Sequence, residues 1–147
     1  MTIHDTVNEI LVNLLREILV VEESAIITGE FTNITVNDMH IIEAVGDGIG
    51  KNMSAIAKQL GITVGSLTTS MNGLVKKGYV VRERSEEDRR VVMIRLTEKG
   101  LRAFVQHKKF HDDMTEAVIA SLDDEKIPAL ADMLKGLIKF FREYQAH

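Results

Sequence analysis

Hydrophobic residues along this chain recur at helical spacing towards both ends and at strand spacing only in the middle. Over residues 5–28, DTVNEILVNLLREILVVEESAIIT, the positions Val7, Leu11, Leu14, Ile18 and Val21 follow at alternating four- and three-residue steps, which marks one face of a helix. Ile10, Val12, Leu15, Leu19 and Val20 add a second apolar face. A helix apolar on more than one side has to bury more than one side. In a chain of 147 residues that points to a partner subunit. Gly29 is placed to close this helix as a C-cap.

Thr35 is placed to cap a second helix, with Asp38 at the capping-box position and Ile41, Ile42 and Val45 facing inward. Gly46, Gly48 and Gly50 interrupt the pattern. A short helix follows over Met53–Leu60, bearing Ile56, Ala57 and Leu60. Gly61 then turns the chain, and Thr63 is the N-cap of a helix running to about Lys77. Two short helices joined by a glycine turn make a helix-turn-helix candidate. In the second of them Leu67, Ser70, Met71 and Leu74 share a face. The opposite face carries Gly65, Ser66, Thr68, Thr69, Asn72, Gly73 and Lys76. An ordinary solvated face would carry more Glu and Lys. Small hydroxyl and amide side chains suit close approach to base edges and phosphates. The bland alternative is a Thr-rich helix of weak propensity.

Alternation at strand period appears in Tyr79–Arg84 and Val91–Leu96, on either side of a charged tip. A hairpin after a helix-turn-helix is a wing. Thr97 then caps a long helix reaching about Ser121. Asp123 and Asp124 begin another, with Pro128 in its first turns and an end near Tyr144. Leu130, Leu134, Leu137 and Phe141 form its apolar stripe. The expected fold is therefore mainly α with a small β-wing, organised as a single domain over residues 1–147. Its winged helix-turn-helix core spans 35–96, and the segments 1–29 and 97–147 supply dimerisation helices. Terminal helices too apolar to stand alone are satisfied by two-fold pairing.

Charge sharpens this picture. The whole chain carries a net charge of −4. Residues 75–109 hold eleven Lys and Arg against five acids, or +6, which leaves −10 for the remainder. A basic block inside an acidic protein suits a polyanion-facing surface, although a solvated charged face gives the same count. Arg82, Arg84, Arg89 and Arg90 lie in this block. An arginine at a hairpin tip projects far from the core and can enter a DNA minor groove, and Asp88 can brace it. Alternatively the tip charges pair with one another at little gain. The chain has no Cys, which excludes disulfides, thiol redox sensing and cysteine zinc sites. It also lacks a long apolar run or a basic leader, so a cytoplasmic protein without membrane partners is expected. An enzyme is not expected, since HKKFH at 107–111 lacks a general-base Glu between its histidines.

The segment GSLTTSMNGLVKKGYVVRERSEEDRRVVMIRLTEKG resembles the recognition helix and wing of MarR-family transcription regulators. It carries the D-x-R wing tip, the following strand and the L-T-x-x-G helix start. The resemblance implies a homodimeric winged helix-turn-helix protein on a palindromic double-stranded DNA operator. Arg90 would be the minor-groove arginine, with Asp88 as its brace. TVGSLTTSMNGL, DMH and HKKFH are similar to the subgroup that represses fatty-acid synthesis genes with long-chain acyl-acyl-carrier protein as corepressor. That resemblance implies an apolar tunnel where the first, second and fifth helices meet, lined by residues such as Ile18, Ile41 and Phe104, and requires no cofactor. Glu22, His40, His107 and His111 also resemble the zinc site of zinc-responsive members. His107 and His111 stand one helical turn apart and continue the stripe of Phe104, Met114 and Val118, so they equally suit a polar pocket or an effector cavity. A winged helix used only for protein contacts remains the competing class, and it predicts no salt-dependent DNA binding.

Overall fold

The computed structural model describes residues 1–26 and 31–145. The expected C-cap Gly29 lies outside the described residues. In chain order the elements are α1 (Ile3–Ile26), α2 (Val36–Val45), β1 (Lys51–Asn52), α3 (Met53–Leu60) and α4 (Val64–Lys77). Then come β2 (Val80–Arg84), β3 (Val92–Leu96), α5 (Glu98–Ala120), a 3₁₀ turn at Asp124–Lys126 and α6 (Ile127–Gln145). The chain divides into two compact units, residues 1–110 and 111–147, with the boundary inside α5. Among the described residues no helix is long and apolar enough to cross a membrane.

The helix starts follow the capping chemistry written in the sequence. Thr35 accepts from the Asp38 N–H at 3.0 Å, and Asp38 accepts from the Thr35 N–H at 3.1 Å, so two orphan donors of α2 are satisfied together. Thr63 accepts from the Ser66 N–H at 3.1 Å and opens α4. Gly78 closes α4 with φ of 87°, where a Cβ would be strained, and so turns the chain sharply into β2.

These helices meet over one core. Ile41, Ile42, Val45, Ile56, Ala57, Leu67, Met71 and Leu74 are all buried, as their spacing requires, and Tyr79, Val80, Ile94, Leu96 and Ala103 join them. Each large side chain buried here contributes about 1.5–3 kcal/mol. Leu67, Met71 and Leu74 in particular fix how α4 is rotated, which leaves its small polar face outward.

The sheet is antiparallel with order β1-β3-β2. β2 and β3 pair Val80 with Leu96, Arg82 with Ile94 and Arg84 with Val92. β1 is an addition to the expected wing: Lys51 and Asn52 pair with Ile94 and Met93 and cover the free edge of β3. Asn52 also caps α3 by accepting from the Ala55 N–H at 2.8 Å.

Thr97 ties the wing to α5. Its N–H donates to the Tyr79 carbonyl at 3.0 Å, its hydroxyl donates to the Gly78 carbonyl at 2.6 Å and accepts from the Gly100 N–H at 3.1 Å. Gly100 sits so close that a Cβ there would stand 2.0 Å from the Tyr79 carbonyl oxygen. The L-T-x-x-G pattern thus has a steric cause.

The apolar surfaces of α1 remain uncovered in the single chain. Ile10, Leu15 and Leu19 are 57%, 53% and 61% exposed, whereas Leu11 and Ile18 are partly buried. In α6 no residue is buried, and Leu134, Phe140 and Phe141 are about half exposed.

Candidate nucleic-acid interface

The small polar face of α4 is open to solvent. Gly65, Ser66, Thr68, Thr69, Asn72 and Lys76 are all exposed, one turn-face away from the buried Leu67, Met71 and Leu74. The fold has already engaged several of their polar atoms. Thr63 donates its hydroxyl proton to Ser66 Oγ at 3.0 Å. Thr68 donates to the Val64 carbonyl at 2.8 Å, so its oxygen lone pair and methyl face outward. Asn72 Oδ1 accepts from Arg82 Nη2, and this bond joins α4 to the wing strand β2.

The wing tip is built by its own charges. Asp88 accepts from Arg90 Nε and Nη2, each at 3.1 Å, and from the Arg90 backbone N–H at 3.0 Å. Arg90 itself is 91% exposed and held out from the hairpin. The bidentate guanidinium clamp and the backbone N–H hold the Asp88 carboxyl below the usual carboxylate range. Arg84 Nη1 donates to the Arg89 carbonyl at 2.8 Å, which fixes the tip from the strand side. Arg95 pairs with Glu83 across the hairpin, and that bond lowers the Glu83 carboxyl. Of the arginines expected to face DNA, Arg82 and Arg84 are thus also structural, while Arg90 is the projecting one.

A second cluster lies where α1, α2 and the start of α5 meet. His107 is buried at 3% exposure, with Glu43 Oε1 at 2.7 Å and Glu22 Oε1 at 3.3 Å from its Nε2. Glu22, also buried, stands 3.4 Å from His40 Nε2. Glu22 thus stands between the two imidazoles as a partner to each. His111 follows one turn later on α5, in the second unit. Glu43 was not foreseen from the sequence, although it stands three residues after His40 and therefore on the same face of α2. A cavity of about 10 Å³, roughly one water molecule, lies at the same junction. It is lined by Ile26, Phe31, Ile34, Met39, Ala103 and His107, among others, and not by Ile18, Ile41 or Phe104. Ile41 is spent in the core instead, and Phe104 packs against it.

A winged helix-turn-helix with an exposed hydroxyl-rich α4 and a clamped wing arginine is the geometry of a DNA reader, and the comparisons agree. The MarR family model matches residues 32–91, which run from just before α2 through β2 to the wing tip. The HTH-type transcriptional regulator SarZ of Staphylococcus haemolyticus (strain JCSC1435) is 30% identical over 115 residues, 78% of this chain and 77% of SarZ. The chain belongs to the MarR family. It is a DNA-binding transcription regulator of that family, and the family relatives are regulators rather than enzymes. Another relative, the regulator FarR of Neisseria gonorrhoeae, is 31% identical over 107 residues and 73% of each chain. Among solved structures, Streptococcus pneumoniae FabT in complex with DNA superposes with a TM-score of 0.84 at 36% identity, covering 96% of this chain and 99% of that one. A MarR regulator from Methanosarcina mazei Go1 gives 0.66 at 24% identity, covering 97% and 99%, and shows the same fold.

Proposed function

We propose that this MarR-family protein is a homodimeric repressor that binds a palindromic operator through α4 and the wing. The observation that carries the reading is the Arg82–Asn72 hydrogen bond, which sets the wing strand against the polar face of α4 so that both can meet one duplex. In this reading Ser66, Thr68, Thr69 and Asn72 face the major groove, Lys76 and Arg89 face phosphates, and the Asp88-braced Arg90 enters the minor groove. The uncovered apolar faces of α1 and α6 support a two-fold dimer, since exposed surfaces of that extent are costly in water. The 36% identity to FabT, solved on DNA, supports the operator role.

The regulated genes in this proposal are those of fatty-acid synthesis, and the signal is a long-chain acyl-acyl-carrier protein. Support comes from the motifs TVGSLTTSMNGL, DMH and HKKFH. The acyl chain would open the small cavity at the α1–α2–α5 junction, and burial of each methylene would contribute about 0.8 kcal/mol.

One observation favours a second reading, in which zinc is the signal. Glu22 and His107, both buried, face each other at 3.3 Å, and a carboxylate beside an imidazole suits a cation as well as an ion pair. One assay separates the two. Operator affinity is measured after chelation, then with zinc, then with acyl-carrier protein carrying a long chain. Tightening by the acyl protein alone is the expected result. A zinc response that disappears in His107→Ala, with none to the acyl protein, would transfer the assignment to zinc.

A further inference from the structure

We propose that Arg82 is a positioning residue that turns Asn72 into a donor-first reader, so that the protein selects guanine over adenine at the base pair Asn72 meets. The inference rests on the DNA-binding reading above and adds to it which base edge one side chain can accept.

The placement of Arg82 comes from the sheet. It pairs with Ile94, which is fully buried, and follows Val80 by two residues on the same strand. Residues two apart on a strand share a face. Arg82 therefore continues the core-facing row of β2 just past the edge of the core, where α4 passes. Asn72 comes from the other side. Its neighbour Met71 is fully buried, which fixes the rotation of α4 and leaves Asn72 exposed at the rim. The two side chains meet there, guanidinium to amide.

Chemistry then decides the orientation of the amide. A guanidinium has only donors, so the atom facing it must be the carbonyl oxygen Oδ1. The amide NH₂ points the other way and offers two donors. An Asn that reads adenine uses both ends at once, accepting from N6–H₂ and donating to N7. The oxygen keeps a second lone pair, but with the first held by Arg82 the amide is turned so that its NH₂ leads, and Asn72 meets a base edge as a donor first. Guanine presents O6 and N7, two acceptors side by side, and both suit a bare NH₂ group. A guanidinium offers no acceptor at any of its nitrogens, so turning the amide over would lose the bond.

The test is selection of bound duplexes from a random pool by the full chain, followed by affinity measurement on single-base operator variants. Asn72→Ala identifies the position, as the one whose preference it removes. At that position the wild type is expected to favour guanine over adenine by about tenfold. Arg82→Ala, which frees Oδ1, should move the ratio towards adenine by about the same factor, even if overall affinity also falls from loss of a cation. Arg82→Lys, which still donates to the amide oxygen, should restore the guanine preference. Circular dichroism and salt-dependent non-specific binding confirm that each variant is folded and on DNA. A guanine-to-adenine ratio unchanged in Arg82→Ala, or an Asn72→Ala protein with no altered position, would overturn the inference while leaving DNA binding intact. A wild-type protein that enriches no sequence would instead overturn the DNA-binding reading itself.

Discussion

Gly100 makes the junction of wing and α5 possible, and Gly100→Ala is the sharpest test of that packing. The added Cβ would stand 2.0 Å from the Tyr79 carbonyl oxygen, 3.0 Å from its carbon and 3.3 Å from Leu96 Cδ2. The first two are backbone atoms at the turn into β2 and cannot rotate away. Relief requires α5 and the turn to part by about 1 Å, a forced overpacking that costs about 1–3 kcal/mol. That movement also stretches the Thr97 N–H bond to the same Tyr79 oxygen, now 3.0 Å. Its loss adds about 0.5–1.5 kcal/mol. Against this, Ala is favoured over Gly inside a helix by at most about 1 kcal/mol. The balance is a destabilisation of about 2 kcal/mol. Urea unfolding at a fixed protein concentration, which the proposed dimer would require, should show the midpoint falling by about 1 M. A midpoint that is unchanged or raised would refute the steric argument.

Arg90→Ala should weaken binding to all duplexes alike and reduce the slope of log affinity against log salt by about one unit; titrations at several salt concentrations read this directly, and an unchanged slope removes Arg90 from the interface. Replacing Thr68 and Thr69 by Ala should alter preference among operator variants by about 1–3 kcal/mol per lost pair, measured by competition, and unchanged relative affinities would shift the reading role to Ser66 and Asn72. Deleting residues 1–28 should leave a poorly soluble or monomeric protein without operator binding, judged by light scattering and gel shift; a soluble monomer that still binds the operator would refute the role of α1.

Much of this was legible in the sequence because local chemistry and global fold agree there. Thr35 with Asp38, Thr63 with Ser66 and Gly78 each do in the structure what their helix-end positions demand. The apolar spacing of Leu67, Met71 and Leu74 places the polar face of α4 outward without further information. The brace of Asp88 on Arg90 is a two-residue contact within one turn, so it too could be read locally. What stayed hidden depends on long-range partners. β1 has only two residues, too few to show alternation, and exists through pairing with β3. The bond of Asn72 to Arg82 crosses from helix to strand and is set by packing rather than by spacing. Glu43 reaches His107 only because α2 and α5 lie side by side. The lining of the junction cavity depends on packing too, since the spacing of Ile41 suits core and tunnel alike and the fold places it in the core.

The central claim is that two copies of α4 and its wing read one duplex together. Selection of sequences from a random double-stranded pool by the purified protein tests this most directly. The account predicts an inverted repeat whose half-sites are centred about one helical turn apart, roughly 10–10.5 base pairs. Enrichment of an isolated half-site, or of no sequence at all, would contradict it.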